Sequence, residues 1–138
     1  PLLKAFENHP ALLSWYLTDE PSGTEKLEWC RRVNAYLAQQ DPHHPVFMTS
    51  CSPGEFARYA PVTDIFAVDP YPIPSQPVTM VSGWMKAAQE AVQGRKPVWL
   101  IPQLHNWAAY DGHPENGRYP TPEEERRVYP GPGSDLFS

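Results

Sequence analysis

Ala11-Leu12-Leu13-Ser14-Trp15-Tyr16-Leu17-Thr18-Asp19-Glu20-Pro21 is the stretch whose reading decides the fold. An apolar run of strand length ends abruptly in two carboxylates and a proline. Such a run predicts a strand buried on both faces, as in a parallel sheet under helices. Its charged residues lie only at the carboxyl end, where sheets of that kind keep their chemistry. A core strand followed by an Asp/Glu helix start is the plainer reading of the same residues.

Three further segments repeat the design: Pro45–Ser50, Asp64–Val68 running into Asp69-Pro70-Tyr71-Pro72, and Pro97–Gln103 running into Leu104-His105-Asn106-Trp107. Helical spacing fills the intervals. Leu2, Leu3 and Phe6 suggest a helix end closed by Asn8-His9-Pro10. Ser22 with Glu25 reads as a capping box ahead of Leu27, Cys30, Val33, Asn34 and Leu37. Ser52 with Glu55 repeats that box before a short helix to about Tyr59. Val81, Met85, Ala88, Ala91 and Val92 make a longer helix that Gly94 would cap. Thr121-Pro122-Glu123-Glu124 opens a last helix, which Pro130-Gly131-Pro132-Gly133 cannot continue. The domain is therefore placed at 1–129, with an irregular tail over 130–138. The loop from Ala108 to Pro120 is longer than a connection needs, and such loops are usually functional.

The expected fold class is α/β, with four parallel strands and helices outside. The strands recur at roughly the ~31 residues obtained by dividing a ~250-residue (β/α)8 barrel by eight. Only four fit in 138 residues, which makes half a barrel. Its two open edges need covering. Two copies about a two-fold axis would close an eight-stranded barrel, so a homodimer is expected.

Composition narrows the partners. The 41% hydrophobic and 12% aromatic content is globular, and a net charge of −5 without a basic stripe argues against nucleic acid or an anionic membrane. No apolar run approaches the ~20 residues that span a bilayer. Pro1-Leu2-Leu3-Lys4 lacks the pattern of a secretion signal, and without an initiating Met the chain reads as processed or as a piece of a longer one. Cys30 and Cys51 have no metal-ligand spacing and read as small buried residues. No His pair argues for a metal either, and no cofactor is implied.

His9 to Pro21 resembles the fourth strand of the retaining glycoside hydrolases built on the eight-fold barrel, where Asn-Glu-Pro or Asp-Glu-Pro carries the acid/base glutamate. Val68-Asp69-Pro70-Tyr71-Pro72 is similar to that clan's sixth strand. Pro97–Gln103 with Pro120–Arg127 is similar to its seventh strand and following helix. The resemblance covers nearly the whole chain to about Tyr129 and is most specific in the first block. It implies Glu20 as general acid/base, its pKa raised by burial, and Asp19 as a further catalytic-site carboxylate in the pocket or as an acceptor that fixes the loop. It also exposes a departure: the seventh strand normally ends in the nucleophile glutamate, whereas Gln103 stands here. An amide cannot attack an anomeric carbon. Gln103 is therefore expected to donate to a sugar hydroxyl, and Asp69 becomes the candidate second carboxylate.

Sugars present C–H faces and hydroxyl edges, so their sites pair flat apolar surfaces with polar groups. Tyr71, Trp107 and Tyr16 are the expected platform, with His105 as a further substrate contact. Trp15, Trp29, Trp84 and Trp99 are expected in the core or in helix packing, and His9, His43 and His44 in structural loops. These residues support hydrolysis of a β-linked glucan or oligosaccharide. A non-catalytic carbohydrate-binding or remnant half-barrel is the competing expectation. A phosphate binder fits poorly, because no Gly-rich loop follows a strand.

Overall fold

In a computed structural model, residues 2–128 are described; the expected tail over 130–138 and Tyr129 lie outside them. In chain order the main elements are α1 (Leu2–Phe6), β1 (Trp15–Tyr16), α2 (Thr24–Gln40), β2 (Val46–Ser50), α3 (Phe56–Tyr59), β3 (Ile65–Val68), α4 (Met80–Val92), β4 (Val98–Leu100) and α5 (Pro122–Val128). The strands form one parallel sheet in the order β1-β2-β3-β4. Consecutive order has a topological consequence. Right-handed crossovers that always step the same way leave every helix on one face, as in a barrel wall. The architecture is thus α/β, a four-stranded parallel sheet flanked by helices, and is compatible with half of a (β/α)8 barrel.

Alternation along the strands divides the side chains. Trp15, Leu17, Val46, Met48, Phe66, Val68, Val98 and Leu100 share one core with Leu27 and Cys30 of α2, Phe56 and Tyr59 of α3, and Val81, Met85, Ala88 and Val92 of α4. Phe56 is almost wholly enclosed, meeting the Phe66 ring edge-on at 5.3 Å and Trp84 at 6.1 Å. Burial of such a side chain is worth about 1.5–3 kcal/mol. The opposite set forms an aromatic row across the other face, Tyr16 stacked on Phe47 at 4.6 Å and Phe47 tilted against Trp99 at 5.4 Å. Trp99 therefore lies away from the helices, contrary to its expected core place. Trp29 is also outside the core, lying exposed under the Lys26 ammonium at 4.1 Å.

The deciding stretch is less regular than its composition predicts. Only Trp15 and Tyr16 pair with a neighbour, Val46 and Phe47. Leu13 is 71% exposed and Tyr16 50%, so this strand is not buried on both faces. It is an edge strand, and nothing among the described residues covers the sheet's second face there. Trp15 is instead pinned through its indole N–H, which donates to Asp41 Oδ2 at 2.9 Å. Asp41 also accepts from His43 N–H and contacts His44 Nδ1 at 2.8 Å. Burial alone would push that carboxyl up, but these donors overcome it and hold it below the usual range.

Two of the three expected caps differ. Ser22 makes no cap; Gly23 holds the N-cap of α2 at φ 78°, a left-handed backbone suited to glycine. Ser52 is capped only through backbone, its carbonyl accepting from Glu55 N–H at 2.9 Å, so its side chain makes no capping box. At α5 the box forms as expected: Glu124 N–H donates to Thr121 Oγ1 at 3.2 Å and Thr121 N–H to Glu124 Oε2 at 2.8 Å. The Arg118 guanidinium grips both Glu124 oxygens at 2.7 Å and, with the cap, holds that carboxyl down at about 2. After α4, Gln93 turns left-handed at φ 55° and the expected Gly94 follows it there at φ 65°.

Candidate functional site

Parallel strands deliver all their carboxyl ends to one edge of the sheet. The segments that follow β1, β2, β3 and β4 are 17–21, 51, 69–71 and 101–107, and they contain every residue singled out above except Tyr16, which ends β1 itself.

Glu20 has φ 40°, a left-handed backbone that costs a non-glycine residue about 1–2 kcal/mol. The turn sends the two adjacent carboxylates apart. Asp19 Oδ1 accepts from the Tyr16 hydroxyl and from Thr49 Oγ1 at 2.5 Å, and those hydroxyls contact each other at 2.7 Å. Glu20 goes the other way, to the Cys51 thiol and the Asp69 carboxyl. Glu20 is only partly enclosed, so the burial expected of it belongs to Asp69, which is 2% exposed.

Asp69 Oδ2 accepts from the Tyr71 hydroxyl at 2.9 Å, while Oδ1 is buried without a hydrogen-bond partner among the described residues. Burial pushes this carboxyl up, the Tyr71 donor pulls it back, and the charges of Glu20 and Asp19 push it up again, to about 7. The same charges act on the neighbours. Burial, the hydrogen bond to Glu20 and the charges of Glu20 and Asp69 raise the Cys51 thiol to about 12, so it remains a thiol and not a nucleophilic thiolate. Tyr16 and Tyr71 are raised as well, by burial first and then by their aspartates.

Beside the carboxylates stands an aromatic cluster. Tyr71 meets His105 at 5.5 Å and Trp107 at 5.0 Å, both edge-on, and Trp107 lies 5.0 Å from His105. Tyr110 joins them at 5.3 Å from His105 and 5.4 Å from Trp107. Trp107 is 40% and Tyr110 72% exposed, leaving ring surface free for a ligand. Asn106 fixes the loop behind them, its Oδ1 accepting from Ala108 N–H at 3.1 Å and its Nδ2 donating to Pro114 carbonyl at 2.8 Å.

Gln103 requires a correction. It is 5% exposed, its Oε1 accepts from Ile73 N–H at 2.9 Å, and its Nε2 donates to the carbonyls of Ile73 at 2.9 Å and His105 at 3.0 Å. Both amide hydrogens are spent on backbone. Gln103 is a clamp between the loops after β3 and β4, and has no hydrogen left for a sugar hydroxyl.

The structure therefore brings Asp19, Glu20, Asp69, Tyr71, His105, Trp107 and Tyr16 to one mouth and turns Gln103 inward. Thr49, Cys51 and Tyr110 were missed. The first two end the second apolar segment, so the strand-end rule that selected Glu20 and Asp69 points to them as well. Among the described residues no helix is long and apolar enough to cross a membrane, and no three His, Cys, Asp or Glu side chains are grouped to hold a metal. No protein-family model matches the chain, and no curated protein matches it in sequence.

Proposed function

We propose that this chain is a glycosidase-like half-barrel that hydrolyses a β-linked glucan or oligosaccharide, with Glu20 as its general acid/base. One observation carries the reading: the carboxyls of Glu20 and Asp69 stand with the Tyr71–His105–Trp107 cluster at the carboxyl ends of parallel strands. Acid/base glycoside cleavage needs a carboxyl positioned beside a surface on which a pyranose can stack. Asp19, exposed and ordered by Tyr16 and Thr49, is suited to accept a hydrogen bond from a sugar hydroxyl.

Asp69 Oδ2 is engaged by the Tyr71 hydroxyl in a site 2% exposed, which disfavours it as the carboxylate that opposes Glu20 across a sugar ring. The opposing carboxylate is assigned to Glu20 of a second copy, in the homodimer that closes the barrel. The free outer edges of β1 and β4 and the half-exposed Tyr16–Phe47–Trp99 row favour such a partner. A monomer by light scattering at micromolar concentration refutes the dimer.

Glu20→Gln tests the chemistry. Hydrolysis of a chromogenic β-glycoside should fall at least 100-fold, within the range ascribed to a positioned general acid, about 10²–10⁴; unchanged hydrolysis removes the proposal. A second reading, carbohydrate binding without cleavage, is favoured by the inward Gln103. It predicts that the same variant binds oligosaccharide as well as the original chain and that neither cleaves it.

A further inference from the structure

Gln103 stands where the resembling hydrolases end their seventh strand, and its amide joins two loops there. Oε1 accepts from Ile73 N–H at 2.9 Å, and Nε2 donates to the carbonyls of Ile73 at 2.9 Å and His105 at 3.0 Å. The two bonds to Ile73 are, among the described residues, the only side-chain hydrogen bonds between the loop after β3 and the loop after β4. Gln103 is 5% and Ile73 4% exposed, so water is poorly placed to substitute for them. Each end of the clamp leads to a ring. Tyr71 lies two residues before Ile73 in Pro70-Tyr71-Pro72-Ile73, where two prolines fix φ and stiffen the connection. The other end is the backbone of His105 itself, whose ring lies 5.5 Å from Tyr71, 5.0 Å from Trp107 and 5.3 Å from Tyr110. His105 Nε2 is buried without a hydrogen-bond partner among the described residues, so no bond at that atom locates the ring.

We infer that Gln103 is the positioning residue of the aromatic surface: its amide sets the separation of Tyr71 from His105 and, through His105, the placement of Trp107 against both. Only an amide suits the task, because one planar group offers an acceptor and two donors together. A carboxylate of the same length could accept from Ile73 N–H but could donate to neither carbonyl. The strand end that carries a nucleophile in the resembling hydrolases therefore holds a binding surface here. Asn106 secures the outer part of the same loop, through Ala108 N–H and the Pro114 carbonyl, and leaves the Tyr71 side to Gln103. For sugar binding, which rests on the carbohydrate reading proposed above, the benefit is preorganisation: rings already held in place need not be ordered when a pyranose stacks on them.

Ring-proton NMR reads the positioning with no ligand present. The His105 and Trp107 ring protons of the original chain should be displaced by the neighbouring rings. Gln103→Met should move them back toward the values of free side chains, while Phe56, packed on Phe66 and Trp84, keeps its own. Unmoved His105 and Trp107 protons overturn the assignment. Should Gln103→Met fail to fold, the original chain decides: the Gln103 amide protons should exchange far more slowly than those of exposed Gln39, and equal exchange overturns the clamp. Calorimetry with an oligosaccharide, in the Glu20→Gln background that slows turnover, then reads the sugar. Gln103→Met and Trp107→Ala should each weaken binding about 5- to 10-fold, and the double variant no more than about twofold beyond Trp107→Ala, because the amide acts through that ring. Losses that multiply, to about 25-fold or more, would make Gln103 independent of the aromatic surface and overturn the assignment. Shifted ring protons with no oligosaccharide bound by any chain would keep Gln103 as the positioning residue and sink the carbohydrate reading.

Discussion

Gln103→Glu is the most informative substitution, because it restores the residue that the resembling hydrolases carry at this strand end. If Gln103 merely replaced a nucleophile, the change would be tolerated or would raise activity. The structure predicts damage. Nε2 faces two carbonyl oxygens, those of Ile73 at 2.9 Å and His105 at 3.0 Å, in a site only 5% exposed. An ionised carboxylate would set oxygen against oxygen at both contacts. Two donors are lost, two acceptors are left unpaired at about 1–3 kcal/mol each, and the introduced charge is buried. A loss of about 3–5 kcal/mol follows, a large fraction of the ~5–15 kcal/mol that holds a domain of this kind. The introduced carboxyl would have its folded pKa raised above the unfolded ~4.3. The deficit is therefore smallest below about pH 4 and grows as pH rises through the folded pKa. Urea denaturation at pH 4 and pH 7.5, each against the original chain, reads both values. Equal stability at pH 7.5, or a gain in glycoside hydrolysis, would refute the clamp.

Other outcomes follow from the same contacts. Asp41→Asn should weaken the fold at neutral pH and flatten its loss of stability in acid, read by thermal melts from pH 2 to 7. The sign comes from the depressed Asp41 carboxyl: its contribution is present above the unfolded ~3.9 and is lost as pH falls through the lower folded value. Trp107→Ala, and more weakly Tyr110→Ala, should reduce oligosaccharide affinity about 5- to 10-fold, since a lost aromatic contact is worth about 1 kcal/mol. Isothermal calorimetry with the Glu20→Gln chain measures it, and unaltered affinity in both would place the sugar elsewhere. Phe56→Ala should cost about 3–5 kcal/mol in urea denaturation, because Phe56 is 1% exposed among Phe66 and Trp84.

Strand order and direction were legible before any coordinates, because the signal is local and repeated. Each apolar segment ends in turn-forming or acidic residues, and helix-length intervals between strands demand parallel crossovers. The same periodicity placed Asp69 and Glu20 on one edge, since parallel strands put their carboxyl ends together. The last helix was equally readable, because Thr121 and Glu124 cap each other within a single turn. Ser22 and Ser52 offer the same spelling and make no such box: Gly23 takes the N-cap position of α2, and the Ser52 side chain makes no capping bond.

What only the tertiary structure decided are properties that depend on neighbours distant in the chain. Burial on both faces needs a strand on each side and a layer above and below, and β1 has one neighbouring strand. Gln103 is polar at a strand end, as a substrate contact would be, but backbone groups of Ile73 and His105 claim its amide. Which carboxyl loses its water is decided by packing that encloses Asp69 and leaves Glu20 partly open. Residue type and spacing therefore determined where the acids would gather. Their division of labour came from desolvation and hydrogen bonding across strands, forces that have no counterpart along a single stretch of chain.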